Sequence, residues 1–126
     1  MPQVEVFSGP GKLTRESRDL LGKLLPIIVA DALNVPDKKE MQLTPNDIGV
    51  RFRYASPDDV LTHDVEITVS GNFYPERAEN LKEERTPQIV RGVMPMLQPH
   101  ISFYVWVKLG EAAFVEAKGS GGVAQA

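Results

Sequence analysis

The 126-residue sequence has no cysteine, two histidines, one tryptophan and no long unbroken apolar run. Without cysteine there is no disulfide, no thiolate zinc site and no thiol nucleophile. Two histidines are too few for a His-rich metal site. Without a run of about 18 apolar residues no helix crosses a membrane. The opening stretch MPQVEVFSGPGK lacks a charged region leading into an apolar one, so no secretory signal is expected and a soluble, cytoplasmic location is the default reading. Positive charge is also scarce. There are 14 Lys+Arg against 17 Asp+Glu, a net charge of −3, which leaves no basic footprint for a nucleic acid. What remains, 42% apolar and 25% charged residues, is the composition of a globular domain. The length suits one domain.

Along the chain, Val4 and Val6 alternate with polar neighbours and predict a short first strand. The SGPGK stretch, residues 8–12, reads as a loop. Thr14 is placed to cap a helix, and Leu20, Leu21, Leu24, Leu25, Ile28 and Ala32 recur at helical spacing after it. Pro26 should kink that helix. Residues 34–46 read as a loop, DIGVRFRY as a second strand, ASPDDVLTH as another loop and DVEITVS as a third strand. Pro75 suits the first turn of a second helix running to about Leu97, with Pro87 inside it. ISFYVWVKL predicts a fourth strand and EAAFVEA a short fifth. KGSGGVAQA is small and polar enough to be a flexible end.

The order is β-α-β twice. Shifting the first half by 61 residues places Val4 on Val65, Glu5 on Glu66, Leu20 on Leu81, Pro26 on Pro87, Ile28 on Ile89 and Val29 on Val90. Interior proline costs a helix about 3 kcal/mol, so a proline at the matching place in both halves points to duplication. The fold expected is a two-layer α+β sandwich. Two β-α-β repeats, about 2–55 and 63–109, form a four-stranded mixed sheet with two helices on one face. Residues 1–118 make the domain and 119–126 the tail. The helix-facing side should carry Val4, Val6, Ile48, Val50, Phe52, Val65, Ile67, Val69, Ile101, Phe103, Val105 and Val107. The other side should carry Glu5, Arg51, Arg53, Glu66, Ser102, Tyr104, Trp106 and Lys108. A sheet with parallel pairs rarely leaves a face bare, so another subunit is expected over the second side.

Pro2 is the most informative residue for chemistry. If the initiator Met is removed, Pro2 carries a secondary amine fixed at the start of a strand. An apolar pocket and nearby cations would disfavour its charged form and fit it for general-base work. Arg51 and Arg53 are the cations on hand, and could also clamp a carboxylate.

An N-terminal proline leading into a strand, the duplicated β-α-β unit and the chain length together resemble the tautomerase superfamily. The likeness is to its long members, of the 5-carboxymethyl-2-hydroxymuconate isomerase and macrophage migration inhibitory factor type, and covers residues 2 to about 116. The resemblance implies Pro2 as the catalytic residue. It also implies keto-enol proton transfer on a small carboxylate-bearing substrate, no cofactor and no metal, and a homotrimer. Arg51, in GVRFR, matches the strand arginine of the muconate isomerases, which have two arginines spaced by one residue; Arg53 is the second. Lys12 falls where 4-oxalocrotonate tautomerase has a carboxylate-binding arginine. Tyr104 and Trp106 lie on the late strand that lines the pocket in long members, and Phe114 would help wall it. Asn72 stands where many members have an arginine, and Arg77 is the nearby replacement. Hydratase-dehalogenase and decarboxylase relatives use the proline as an acid instead, and non-catalytic trimeric binding proteins share the fold.

Plainer readings stand beside these. The plainer reading of Arg51 and Arg53 is pairing with Glu5 and Glu66, on their own sheet face or across the subunit boundary. Tyr104 and Trp106 suit interface packing. His63 and His100 read as strand-edge and turn residues. Asp58 and Asp59 read as local hydrogen-bonders, and KEER at 82–85 as a solvated helix face.

Overall fold

The computed structural model of the protein describes residues 2–110, 115 and 117–120. Four strands form one sheet: β1 Gln3–Ser8, β2 Gly49–Tyr54, β3 Val65–Asn72 and β4 Phe103–Gly110, in the order β2-β1-β3-β4. β1 pairs parallel with β2, and β3 parallel with β4. The two halves meet through antiparallel β1 and β3, in a register that sets Val4 opposite Val69 and Val6 opposite Ile67. Each half is therefore a parallel pair joined through helical segments, as the duplicated sequence predicts. The expected fifth strand falls largely on 111–114 and 116, outside the described residues.

The alternation of the strands divides the sheet as expected. Val4, Val6, Val65, Ile67 and Val69 are fully buried under the helices. They pack with Leu21, Leu25, Val29 and Leu33 of helix α1, Arg15–Leu33, and with Ile89 and Val93 of the second half. Each such aliphatic side chain, taken out of water, contributes about 1.5–3 kcal/mol. The Thr14 hydroxyl accepts the Ser17 amide at 3.0 Å, starting α1 where the sequence places its cap. α1 runs on through Pro26 as one element.

The second half differs from the expected single helix over Pro75 to about Leu97. It divides into α2, Pro75–Ala78, a π-helical turn at Leu81–Arg85, α3, Thr86–Val93, and a 3-10 turn at Met94–Met96. Among the described residues the second half thus carries two short α-helices, α2 and α3, where one was expected. The cause is local. Glu79 turns extended and ends α2, and Asn80 after it takes a left-handed conformation, φ 58°, which asparagine tolerates. Pro87 sits where the π turn passes into α3, so its missing N–H falls at the change of helical hydrogen-bond pattern. Because the π turn runs into α3 without a break, Pro87, like Pro26, still lies inside a helical run.

Two arginines hold this broken segment against the end of α1. Arg85 donates to the carbonyls of Ala32 and Asn34, at 2.9 and 3.0 Å, and to those of Glu79 and Glu76. Arg77, only 2% exposed, donates to Leu33, Asn72 and Met41 at 3.1, 3.2 and 2.8 Å.

Candidate active site

Pro2 leads into β1 and is buried. Its ring packs against Gly71 near the end of β3. A β-carbon at residue 71 would lie 3.8 Å from Pro2 Cγ and 3.5 Å from a Leu109 methyl, so glycine is what leaves the ring its room. The Gly49 amide approaches the Pro2 carbonyl at 3.4 Å. Beside Pro2 opens a cavity of about 240 Å³, walled by Glu40, Gln42, Leu43, Asp47, Asn72, Tyr74 and Arg77.

The charges of this cavity differ from those the sequence led one to expect. Among the described residues its one cation is Arg77, which spends Nε, Nη1 and Nη2 on three backbone carbonyls and stacks on Tyr74 at 5.0 Å. Burial lowers the Arg77 pKa, and Arg85 adds to the effect while Tyr74 opposes it. Arg77 thus builds the wall rather than standing free for an anion. Two carboxylates, Glu40 and Asp47, share the cavity. Asp47 is already engaged by the Thr44 amide at 2.8 Å and the Thr44 hydroxyl at 3.2 Å.

Arg51 projects from the opposite sheet face. It lines a second cavity, of about 310 Å³, with Gln3, Val4, Glu5, Thr68, Ser70 and Lys108. No residue lines both this cavity and that of Pro2. Arg53, two residues on, is held by Glu5 at 3.0 Å and lies over Phe7 at 5.2 Å. For Arg53 the plainer reading, pairing with Glu5, is the one realised.

Lys12 follows β1 at its far end. Six strand residues separate it from Pro2, a span of about 20 Å. It pairs with Asp64 at 3.3 Å. Asp64 also accepts the Ser102 amide at 3.0 Å. That amide first, and then Lys12, hold the Asp64 carboxyl below the usual range. Tyr104 also belongs to that far end, opposite Glu66 in the register. It meets His63 edge-on at 5.3 Å, and partial burial and then the Glu66 charge push its phenol up. Trp106 is 55% exposed and carries the Lys108 ammonium over its ring at 4.1 Å. It also borders a groove of about 560 Å³ between β4 and α3, with Leu81, Pro87, Val90, Arg91, Val105 and Val107 among its walls. Phe114 lies outside the described residues.

Within one chain, then, the structure gathers none of Lys12, Arg51, Arg53, Tyr104 or Trp106 into the Pro2 cavity. Of the residues the resemblance marked, Asn72 and Arg77 do wall it; the others, Glu40, Asp47 and Tyr74 among them, come from irregular segments without periodicity. Lys108 escaped notice as a site residue, although its alternation with Trp106 and Tyr104 already put it on the Arg51 face. Among the described residues no group of three or more His, Asp and Glu could hold a metal ion.

No protein-family model matches the chain, and no curated protein matches it. Solved structures do. Native Ps01740 superposes with a TM-score of 0.62 at 15% identity, over 91% of this chain and 99% of its own. N1, a member of the cis-3-chloroacrylic acid dehalogenase family, gives 0.60 at 15%, over 98% and 87%. A fused 4-OT, described as a symmetric trimer, gives 0.58 at 14%, over 95% and 93%. Identities this low establish architecture and no more: the chain has the fold of the tautomerase superfamily.

Proposed function

We propose that the protein is an enzyme of the tautomerase type, in which the Pro2 amine, freed by removal of Met1, moves a proton between two carbons of a small 2-oxo or 2-hydroxydienoate acid. The observation that carries this reading is the placement of Pro2: buried, packed on Gly71 and opening onto a cavity at the head of β1. Burial disfavours the ammonium form and suits a general base. The amine lone pair takes the proton alpha to the carbonyl, the electrons pass into an enolate or dienolate, and the proton returns at the other carbon. No cofactor is required for such a step.

Holding the substrate carboxylate and steadying the enolate charge falls to Arg51, since Lys12 and Arg53 are already paired, with Asp64 and Glu5. Because Arg51 lies away from Pro2 within one chain, the proposal places it across a protomer boundary in a homotrimer, with Tyr104, Trp106 and Phe114 shaping the apolar end. The fused 4-OT described as a symmetric trimer supports that assembly. A second reading has Pro2 protonated and acting as an acid. Glu40 and Asp47 in the same cavity favour it, since carboxylates stabilise a neighbouring ammonium.

Turnover of 2-hydroxymuconate or phenylenolpyruvate by the protein lacking Met1 tests the assignment. Pro2→Ala, or alkylation of the N-terminal amine, should abolish it. Undiminished turnover in both would refute a role for Pro2. The pH-rate profile separates the two directions of proton transfer, because base and acid need opposite protonation states.

A further inference from the structure

Helix α3 leans on α1 and leaves its other side open. Gly92 packs against Ile28 of α1, and Gln88 on the same side donates to Asp31 at 2.7 Å. Turned the other way, at helical spacing, are Thr86, Pro87, Val90 and Arg91. With Val105 and Val107 of the edge strand β4 they wall the groove of about 560 Å³, which Trp106 borders. Leu81 and Lys82 of the π turn complete it. Such turns are rare and recur at functional sites. No carboxylate is among the described walls, and neither Lys82 nor Arg91 has an ion pair among the described residues. An apolar trench therefore carries two exposed, uncompensated cations.

We propose that this groove binds an apolar carboxylate of the medium-chain fatty-acid class, its chain along Val90, Val105 and Val107 and its carboxylate on Arg91. Sites for small molecules are concave and mostly apolar, about 300–1,000 Å³ in volume, with a few placed polar groups. The groove has that form. Its aliphatic walls take methylenes out of water. The planar fork of Arg91 fits a carboxylate in bidentate fashion, Lys82 adds a second positive charge, and Thr86 offers a hydroxyl. The scale favours a small ligand over a protein partner: among the described residues nine wall the groove, whereas a stable protein interface engages about 20–30 a side. None of the nine lines the Pro2 cavity or the cavity of Arg51, so the site stands apart from proton transfer.

Trp106 is the only tryptophan of the sequence, so its emission reports on the groove it borders. Decanoate, kept below its micelle concentration, is titrated into the full chain while that emission is followed and light scattering counts the chains. A saturable change is expected at constant chain number. Decanol, which lacks the charge, should bind roughly tenfold or more weakly, the loss of one charge-assisted contact. Arg91→Gln should weaken decanoate by the same factor and erase its advantage over decanol. Arg91 is exposed, so its replacement leaves the fold intact. Pro2→Ala should bind decanoate as the wild type does, which separates this site from any failure of the proton-transfer reading. The proposal is overturned by an absence of saturable change, by equal affinity for decanol and decanoate, by undiminished decanoate binding in Arg91→Gln, or by loss of binding in Pro2→Ala. Binding that occurs only as the assembly splits would also overturn it, by making a second copy of the chain the occupant.

Discussion

Arg77 and Arg85 cap the end of α1 between them: the first donates to the Leu33 carbonyl at 3.1 Å, the second to Ala32 and Asn34 at 2.9 and 3.0 Å. The last carbonyls of a helix have no partner within it and carry the negative end of its dipole. α1 has no basic residue in its last turn, so the second half of the chain supplies the charge.

Arg77→Met should therefore destabilise the protein by about 2–4 kcal/mol, because it leaves buried carbonyls of Leu33 and Met41 without a donor. Arg77→Lys should recover little, since one ammonium cannot reach three carbonyls in different directions. Urea denaturation of the two variants against wild type measures both effects. Equal stability of Arg77→Met and wild type would show that the clamp is energetically idle.

The contrast between α1 and the second helical segment shows what the sequence could disclose. The period-two alternation of β1, β2, β3 and β4 and the Thr14 cap are local signals, and the structure realises each of them. The division at Asn80 was hidden, because a left-handed asparagine followed by a π turn looks like continuous helix in a hydrophobic pattern. Arg85, which stabilises it, lies only five residues on, but two of the four carbonyls it holds, those of Ala32 and Asn34, come from the end of α1, far back in the sequence. The Pro2 site divides the same way. That Pro2 heads a strand was legible. That Arg51 faces away from it follows from strand alternation together with a β1–β2 register the sequence does not print.

Close approach of α1 and α3 supplies a second test. A β-carbon on Gly92 would fall 2.9 Å from Ile28 Cγ2 and 3.0 Å from its Cδ1. Cγ2 sits on a branched, stiff carbon and cannot swing aside cheaply. Overpacking of this kind costs about 1–3 kcal/mol, against a helix-propensity gain of up to about 1 kcal/mol for alanine. Gly92→Ala should be net destabilising. Adding Ile28→Ala should recover part of that loss, giving a non-additive cycle in thermal or urea melts. Simple additivity would place the two residues out of contact in solution.

Acid stability should report Asp64. The Ser102 amide and Lys12 lower its pKa in the folded state. A depressed carboxylate contributes stability that is complete above its unfolded pKa and is lost as pH falls through the lower, folded value. Asp59, held by the Ser56 amide, shifts the same way. Stability measured from neutral pH downward should decline through the carboxylate range, and Asp64→Asn should flatten part of that slope. An Asp64→Asn curve parallel to wild type would remove Asp64 from the linkage.

Assembly bears on every proposal that needs a neighbouring protomer. β4 is an edge strand, with Trp106 exposed and an apolar groove alongside it. An uncovered edge of this kind invites pairing with another chain. Light scattering on the eluted protein should give three chain masses. Trp106→Glu, which places a charge at that edge, should shift the population toward monomer at low micromolar concentration. A wild-type monomer would leave the Pro2 cavity without a source for Arg51.

Glu40 offers the sharpest probe of proton transfer because it walls the Pro2 cavity from an exposed turn and has no hydrogen-bond partner among the described residues. Its negative charge favours the protonated amine. Glu40→Gln should therefore move the amine's inflection in the pH-rate profile to lower pH, whichever way the proton travels. If Pro2 is the base, the rising limb shifts down and activity below neutrality increases. If Pro2 is the acid, the falling limb shifts down and activity at neutrality decreases. The sign of the change at one pH near neutrality thus assigns the role, and an unmoved profile would show that Glu40 does not sense the reacting amine.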